Sequence, residues 1–230
     1  MMELRPGKMQ ELKNPETDTF KDIRPRQEKT AQDRLNQFNE MFIKSEWGGD
    51  YTTYNERLSR TLKNDTFLGQ YEGERGESKF IPSDATEAGR KALEKLSEYG
   101  TNGVEYKNAE VDFSKCSEAT VKIDKMTDNM ANYRDEDGDI CLGNFAQADI
   151  KCAELWSKEC KDGKNDWTPE DVENWRKEHN CSWHERCDTK TMDLVPREIH
   201  DFFKHSGGRA ECRLRDSVNQ GGIFDGENKN

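Results

Sequence analysis

Histidine is scarce in this chain: among 230 residues there are four, and none precedes His179. Long apolar runs are missing as well. No stretch approaches the roughly 18 to 20 apolar residues that span a bilayer. The opening M-M-E-L-R-P-G-K-M-Q lacks the apolar centre of a secretory signal. These absences predict a soluble chain with no membrane insertion that, if it leaves the cell, does so without a Sec signal of its own. Paired cysteine motifs are missing too. The seven cysteines are an odd number with no C-x-x-C among them. That argues against a zinc ribbon or a dense disulfide framework and for buried thiols.

Excess positive charge is also lacking. A net charge of -11 argues against binding nucleic acid through bulk charge alone. The distribution is uneven, however: from His179 to Arg215 seven Lys and Arg face six acids, whereas the first 178 residues carry a net -10. The local field is what steers a phosphate. Apolar residues make up 31% and charged residues 36%, with a mean hydropathy of -1.17, a balance that leans towards disorder. Five Trp, ten Phe and six Tyr oppose it, because large aromatics build a core from few positions. A folded α+β protein is expected.

Three regions are predicted. Over 1–45, Pro6, Pro15 and Pro25 break any long helix, leaving an N-terminal arm or linker with a short helix carrying Leu35, Phe38 and Phe42. The stretch 46–160 reads as mixed helix and strand, and 161–230 holds the histidines. Within the middle stretch, G-E-R-G-E-S from Gly73 suits an anion-contacting loop with Arg75 as phosphate ligand. A helix is expected over 83–99, with Ser83 as N-cap and Gly100 as stop. V-E-Y-K-N-A-E-V-D-F-S from Val104 predicts a strand pair turning at Asn108, and Ala119 to Ile123 a further strand. The acidic Asp135-Glu136-Asp137-Gly138-Asp139 lacks the ligand order of an EF-hand and reads as a solvated loop. Helices follow over 145–160 and from Thr168-Pro169, with Thr168 as N-cap and the proline at the first helical position. His179 is expected as a surface residue closing that second helix.

The other histidines, His184, His200 and His205, lie in one stretch from Trp183 to Gly208. Imidazole is the commonest metal ligand and a frequent general base. Residues 182–195 suit a β-hairpin with a polar turn at Cys187-Asp188-Thr189-Lys190. Pro196 then opens a helix that is expected to stop at Gly207-Gly208. On a regular helix His200 and His205 stand about 140° apart, so they share a ligand only if the last turn loosens, which the glycines allow.

Here Trp183-His184, Thr191-Met192, Leu194-Val195-Pro196, Ile199-His200 and His205-Ser206-Gly207-Gly208 together resemble the WHH branch of the HNH/endonuclease VII nucleases. Many of that branch are toxin domains of bacterial polymorphic toxin systems. The upstream G-E-R-G-E-S, E-Y-K-N-A-E-V-D-F-S and N-F-A-Q-A-D are similar to what precedes the motif in such toxins. The resemblance implies an α+β chain ending in a ββα-metal (HNH-like) catalytic motif. It also implies one divalent metal ion on His184, His200 and His205, hydrolysis of nucleic-acid phosphodiesters with DNA ahead of RNA, and a cognate immunity protein if the chain is a toxin. The residue after His184 should be the general base; many members have histidine there, and this chain has Glu185. Either Glu185 takes the proton from water, or His184 does so with Glu185 as ligand or orienter, since strand neighbours face opposite sides. Asp193 is a candidate for the positioning role of the middle Asn of HNH. Nitrogen ligands favour Zn, Ni, Co or Mn over a site for Mg alone. Arg186, Lys190, Lys204 and Arg209 are the candidate phosphate contacts beside the site.

Two further readings compete. H-E-R-C-D from His184 resembles a damaged H-E-x-x-H peptidase motif, which needs a helix where Trp183, Cys187 and Thr191 favour strand. The histidines could instead hold a structural zinc in a non-catalytic protein-binding module whose acidic surface meets an interaction or immunity-type partner.

Overall fold

The computed structural model describes residues 47–221, so the expected arm over 1–45, with its short helix, lies outside the described residues. The described chain is α+β, with helices set against small antiparallel sheets. It begins with α1 (Tyr54–Arg60), whose Thr53 and Glu56 cap one another's backbone in a reciprocal box. Next come β1 (Gly69–Tyr71), β2 (Lys79–Pro82), α2 (Glu87–Glu98), β3 (Val104–Lys107) and β4 (Glu110–Asp112). The four strands form one sheet in sequence order. The β3–β4 turn falls on Asn108 and Ala109, both at positive φ (50° and 58°), the backbone that a two-residue hairpin turn requires. Helix α2 starts later than Ser83. Thr86 is its N-cap and accepts from the Gly89 amide, while the Ser83 hydroxyl accepts from Ala85 in the turn before it. That turn folds back so closely that a Cβ on Gly89 would fall 1.9 Å from the Ser83 carbonyl oxygen.

Strands β5 (Ala119–Lys122), β8 (Cys181–Glu185) and β9 (Thr191–Pro196) form a second sheet, in the order β5-β9-β8. Helices α3 (Asn144–Glu159) and α4 (Pro169–Glu178) pack beside it. Thr168 and Asp171 form the expected cap of α4, with Pro169 at its start. Because β5 pairs with β9, the stretches 46–160 and 161–230, expected as separate regions, share a sheet. Between β5 and α3 a short hairpin, β6 (Tyr133–Arg134) and β7 (Ile140–Cys141), carries the acidic tract in its exposed turn.

Two cores result, and β8–β9 divides them. Phe80, Leu96, Tyr106, Val111, Phe113, Ile199 and Phe203 build the first. Cys152, Trp156, Val172, Trp183, Met192 and Leu194 build the second. Alternation along β8 sends Trp183 into the second core, where its indole N–H donates to Asp149 at 2.8 Å. Arg176 grips the same carboxylate with two nitrogens, each 3.1 Å from an oxygen. All seven cysteines are free thiols, five of them buried. Among the described residues no helix is long and apolar enough to cross a membrane.

Residues 47–53 are stapled to this body by buried polar groups. Glu211 is fully buried and accepts from the amides of Tyr51 (2.8 Å) and Thr52 (2.9 Å) and from the Thr52 hydroxyl. Arg57, also buried, donates to the Thr52 and Asn108 carbonyls. Removing one partner of such a network strands the rest without water. Glu211→Ala is therefore expected to lower the unfolding free energy by about 1–3 kcal/mol, the cost of leaving a buried donor unsatisfied. Urea denaturation measures it, and a loss under about 1 kcal/mol would contradict the staple.

Candidate metal centre

The site stretch folds as strand, turn, strand and helix. In the β8–β9 hairpin His184 lies opposite Asp193 and Glu185 opposite Met192. Asp188 builds the turn by accepting from the amides of Lys190 (2.9 Å) and Thr191 (2.8 Å) and from the Thr191 hydroxyl. The helix after Pro196 is shorter than expected. It is a single turn, α5 (Arg197–His200), and the next helix, α6 (Gly208–Gly221), opens at the glycine that was expected to follow a stop. The reason lies in the core: Phe202 and Phe203 are both buried, and the Lys204 carbonyl accepts from the Tyr106 hydroxyl at 3.0 Å instead of serving a helix. His205 therefore sits in an irregular segment, free of the 140° offset.

That loosening brings the imidazoles together. One nitrogen from each of His184, His200 and His205 lies within 4.8 Å of the other two. Ring centroids stand 4.6 Å apart for His184 and His205, 5.2 Å for His200 and His205, and 5.8 Å for His184 and His200. Nδ1 of His205 lies 2.6 Å from the Phe203 carbonyl, and Nδ1 of His200 lies 3.1 Å from the Asp201 carboxylate. With Nδ1 as donor, both rings present Nε2 as a lone pair. The Nε2 of His184 is buried and has no hydrogen-bond partner. An orphaned buried nitrogen is costly, and a divalent ion suits it, so the donor set fits a metal. His184 is buried while His200 and His205 are half-buried.

Burial acts on the charge state of all three. Desolvation, then the neighbouring imidazoles, holds His184 well below the ordinary histidine range. His205 is lowered to about 4, chiefly by burial, and His200 is lowered for the same reason despite Asp201. The cluster is therefore neutral at pH 7, the form that ligates.

The remaining residues expected at the site scatter in role. Glu185 is buried on the other face of β8, where Asn144 reaches its carboxylate at 3.4 Å. Burial raises its pKa, with Asn144 and Arg209 pulling the other way. Asp193 shares the His184 face and is fully buried; it grips Arg186 at 2.6 and 2.9 Å and accepts from Thr120. Arg186 is thus engaged by a carboxylate, and its guanidinium also covers the Trp47 ring. Arg75 is committed elsewhere: it donates to the carbonyls of Leu58, Thr61 and Leu62 at the end of α1, which leaves little for the expected phosphate contact. Lys190 and Lys204 are exposed. Arg209 shares the Asp128 carboxylate with Arg213. His179 stacks on Trp175 at 3.9 Å, on the surface as expected.

Sequence reasoning did not single out Phe113, Glu110 or Asn144. Glu110 is fully buried on β4 and accepts from the amides of Cys187, in the hairpin turn, and of Gly48. Burial raises its pKa to about 7. Asn144, the first residue of α3, bridges the Thr127 backbone to Glu185. Glu110 and Phe113 lie in E-Y-K-N-A-E-V-D-F-S and Asn144 opens N-F-A-Q-A-D, so the resemblance reached their segments, but their individual roles depend on partners far along the chain.

Residues 103–207 match the family model of the DNase/tRNase domain of colicin-like bacteriocins. The matched stretch is a little under half of the chain, and it runs from the start of β3 through all three imidazoles. It supports a toxin nuclease domain. No curated protein matches the chain.

The depressed imidazole pKa values have a definite sign. Unfolded histidines take up protons near pH 6.5, whereas His205 resists until about 4. The unfolded chain therefore binds more protons in that window, and the cluster's contribution to stability falls as pH drops through 6.5. Glu110 works in reverse, since a carboxylate raised to about 7 costs stability as pH rises towards that value. For ligation the consequence is simpler. Three ordinary histidines would release about two protons per ion at pH 6; these three should release fewer than one. Zinc titrations by calorimetry in two buffers of different ionisation enthalpy read the number directly, and a release of two would show ordinary, solvated histidines.

Proposed function

We propose that the chain is a metal-dependent endonuclease of the HNH/WHH type, a bacterial toxin domain that hydrolyses nucleic-acid phosphodiesters, with DNA ahead of RNA. The observation that carries this reading is the convergence of His184, His200 and His205, with a buried, partnerless Nε2 on His184. The hairpin and one-turn helix that bring them together support the ββα-metal arrangement, and the family match covers the same residues. The three imidazoles would hold one divalent ion, Zn, Mn, Ni or Mg, of which nitrogen donors favour the transition metals. Such an ion supplies Lewis-acid stabilisation of charge on the phosphate and the leaving oxygen.

The chain's own groups supply the rest. Glu185, directly after His184, is taken as the general base: burial raises its pKa from the ordinary carboxylate value, closer to the range of an effective base, and from the opposite face of β8 its carboxylate would reach the water around the end of the strand. His184 is the alternative base, and the two are separable because only His184 belongs to the ligand cluster. Lys190, Lys204 and Arg209 would contact flanking phosphates. Arg186, held by Asp193, would act on phosphate only by releasing that partner. In a toxin, the producing cell would need an immunity protein.

Cleavage of supercoiled plasmid and of tRNA, with added Zn, Mn, Ni or Mg, tests this reading. The wild type should nick in a metal-dependent way. His184→Ala should lose both metal and cleavage, and Glu185→Gln should bind metal yet cleave about 10²–10⁴-fold more slowly, the usual loss for a general base. Zinc bound without cleavage of either substrate would favour the zinc-stabilised binding module. Full activity in Glu185→Gln would transfer the base to His184.

A further inference from the structure

Phe113 follows β4 directly and is fully buried. Its ring stands edge-on to His184 at 4.9 Å and to His205 at 5.7 Å, and tilts against His200 at 5.9 Å. One aromatic side chain thus touches all three imidazoles, although it comes from the other sheet and lies far from them in sequence. Phe203 backs it at 6.4 Å and nearly perpendicular (83°), which fixes its own orientation. The next strand back contributes too: the Tyr106 hydroxyl holds the Lys204 carbonyl, immediately before His205.

A phenyl ring neither donates nor accepts a conventional hydrogen bond. On its side the imidazoles are denied polar partners, consistent with the orphaned Nε2 of His184. Edge-to-face contacts have preferred geometry, and two of them, to His184 and His205, together with the tilted contact to His200, restrict how the imidazoles can turn. Donor rings need such support to be held near a productive geometry.

We infer that Phe113 is a positioning residue of the metal centre: it sets the tilt of His184, His200 and His205 so that their nitrogens converge, and it closes that side with an apolar wall. This rests on the reading of the three imidazoles as ligands. A purely structural Phe113 would support the first core without affecting how the rings present themselves. An outer residue that orients ligands changes affinity and coordination, typically by 10–100-fold in metal binding.

The test uses the full chain, wild type and Phe113→Leu, stripped of metal. Zinc affinity is measured by chelator competition, the coordination of Co(II) by its visible absorption, and apo stability by urea. Phe113→Leu is expected to stay folded, bind zinc about 10–100-fold more weakly, and show an altered Co(II) spectrum. Unchanged affinity and spectrum in a folded variant, with only a lower urea midpoint, would overturn the proposal. Phe113→Met, which also lacks the flat ring, is measured alongside and decides between the same two outcomes should the leucine variant not fold. A wild type that takes up no Co(II) or zinc would refute the ligand reading itself, an outcome visible without any variant.

Discussion

The end of β8 and the Gly207-Gly208 backbone approach each other closely enough to exclude any side chain between them. A Cβ on Gly207 would fall 2.6 Å from the Glu185 carbonyl oxygen, and one on Gly208 would fall 2.5 Å from the Arg186 oxygen and 2.4 Å from the Met126 sulfur. Two of those three obstacles are backbone, which cannot swing aside. Any larger residue would therefore push the segment off the strand, and His205, two residues earlier, would move with it. The convergence of the imidazoles depends on this contact.

The strand on the other side of that contact serves two masters. Trp183 is tied through Asp149 to Arg176 in the second core, while His184 turns to the imidazoles and Phe113. Neither orientation is free to slip, because a shift of one residue would exchange the two faces. Glu185 then falls on the Trp183 side, beside Asn144 and within the field of Arg209 and Asp128. The surroundings are built for a carboxylate, with an amide donor and a guanidinium nearby to offset the cost of burial.

What could be read from the sequence was what local chemistry decides. The β3–β4 turn at Asn108, the Thr168 cap of α4, the β8–β9 hairpin and the surface position of His179 all follow from residues within a few positions of one another. The departures arise where distant residues win. Thr86 displaces Ser83 as cap because the preceding turn folds across Gly89. Helix α5 ends early because Phe202 and Phe203 enter a core supplied by β2, β3 and α2. Arg75 in its glycine-flanked loop has the look of an anion ligand, but its guanidinium closes the end of α1. Phe113 touches imidazoles some seventy positions or more away, a separation no periodicity reports.

Charge around the site bears on how an acidic chain could act on a polyanion. Asp193 takes up Arg186, and Asp128 is shared by Arg209 and Arg213, so much of the local positive charge is matched within the fold. Two arginines on one carboxylate leave a net positive charge next to Glu185, and Lys190 and Lys204 stand exposed. That is a small electrostatic footprint compared with a protein that grips the duplex through six to ten phosphate contacts. On the proposed reading, affinity would then rest on the few groups at the centre itself, with little counterion release. A toxin built this way gains less from bulk attraction to nucleic acid and more from the ion that three neutral, converging imidazoles can hold. The aromatic wall that Phe113 sets against His184 would make such an ion's charge act more strongly, since charge is felt more where water is excluded.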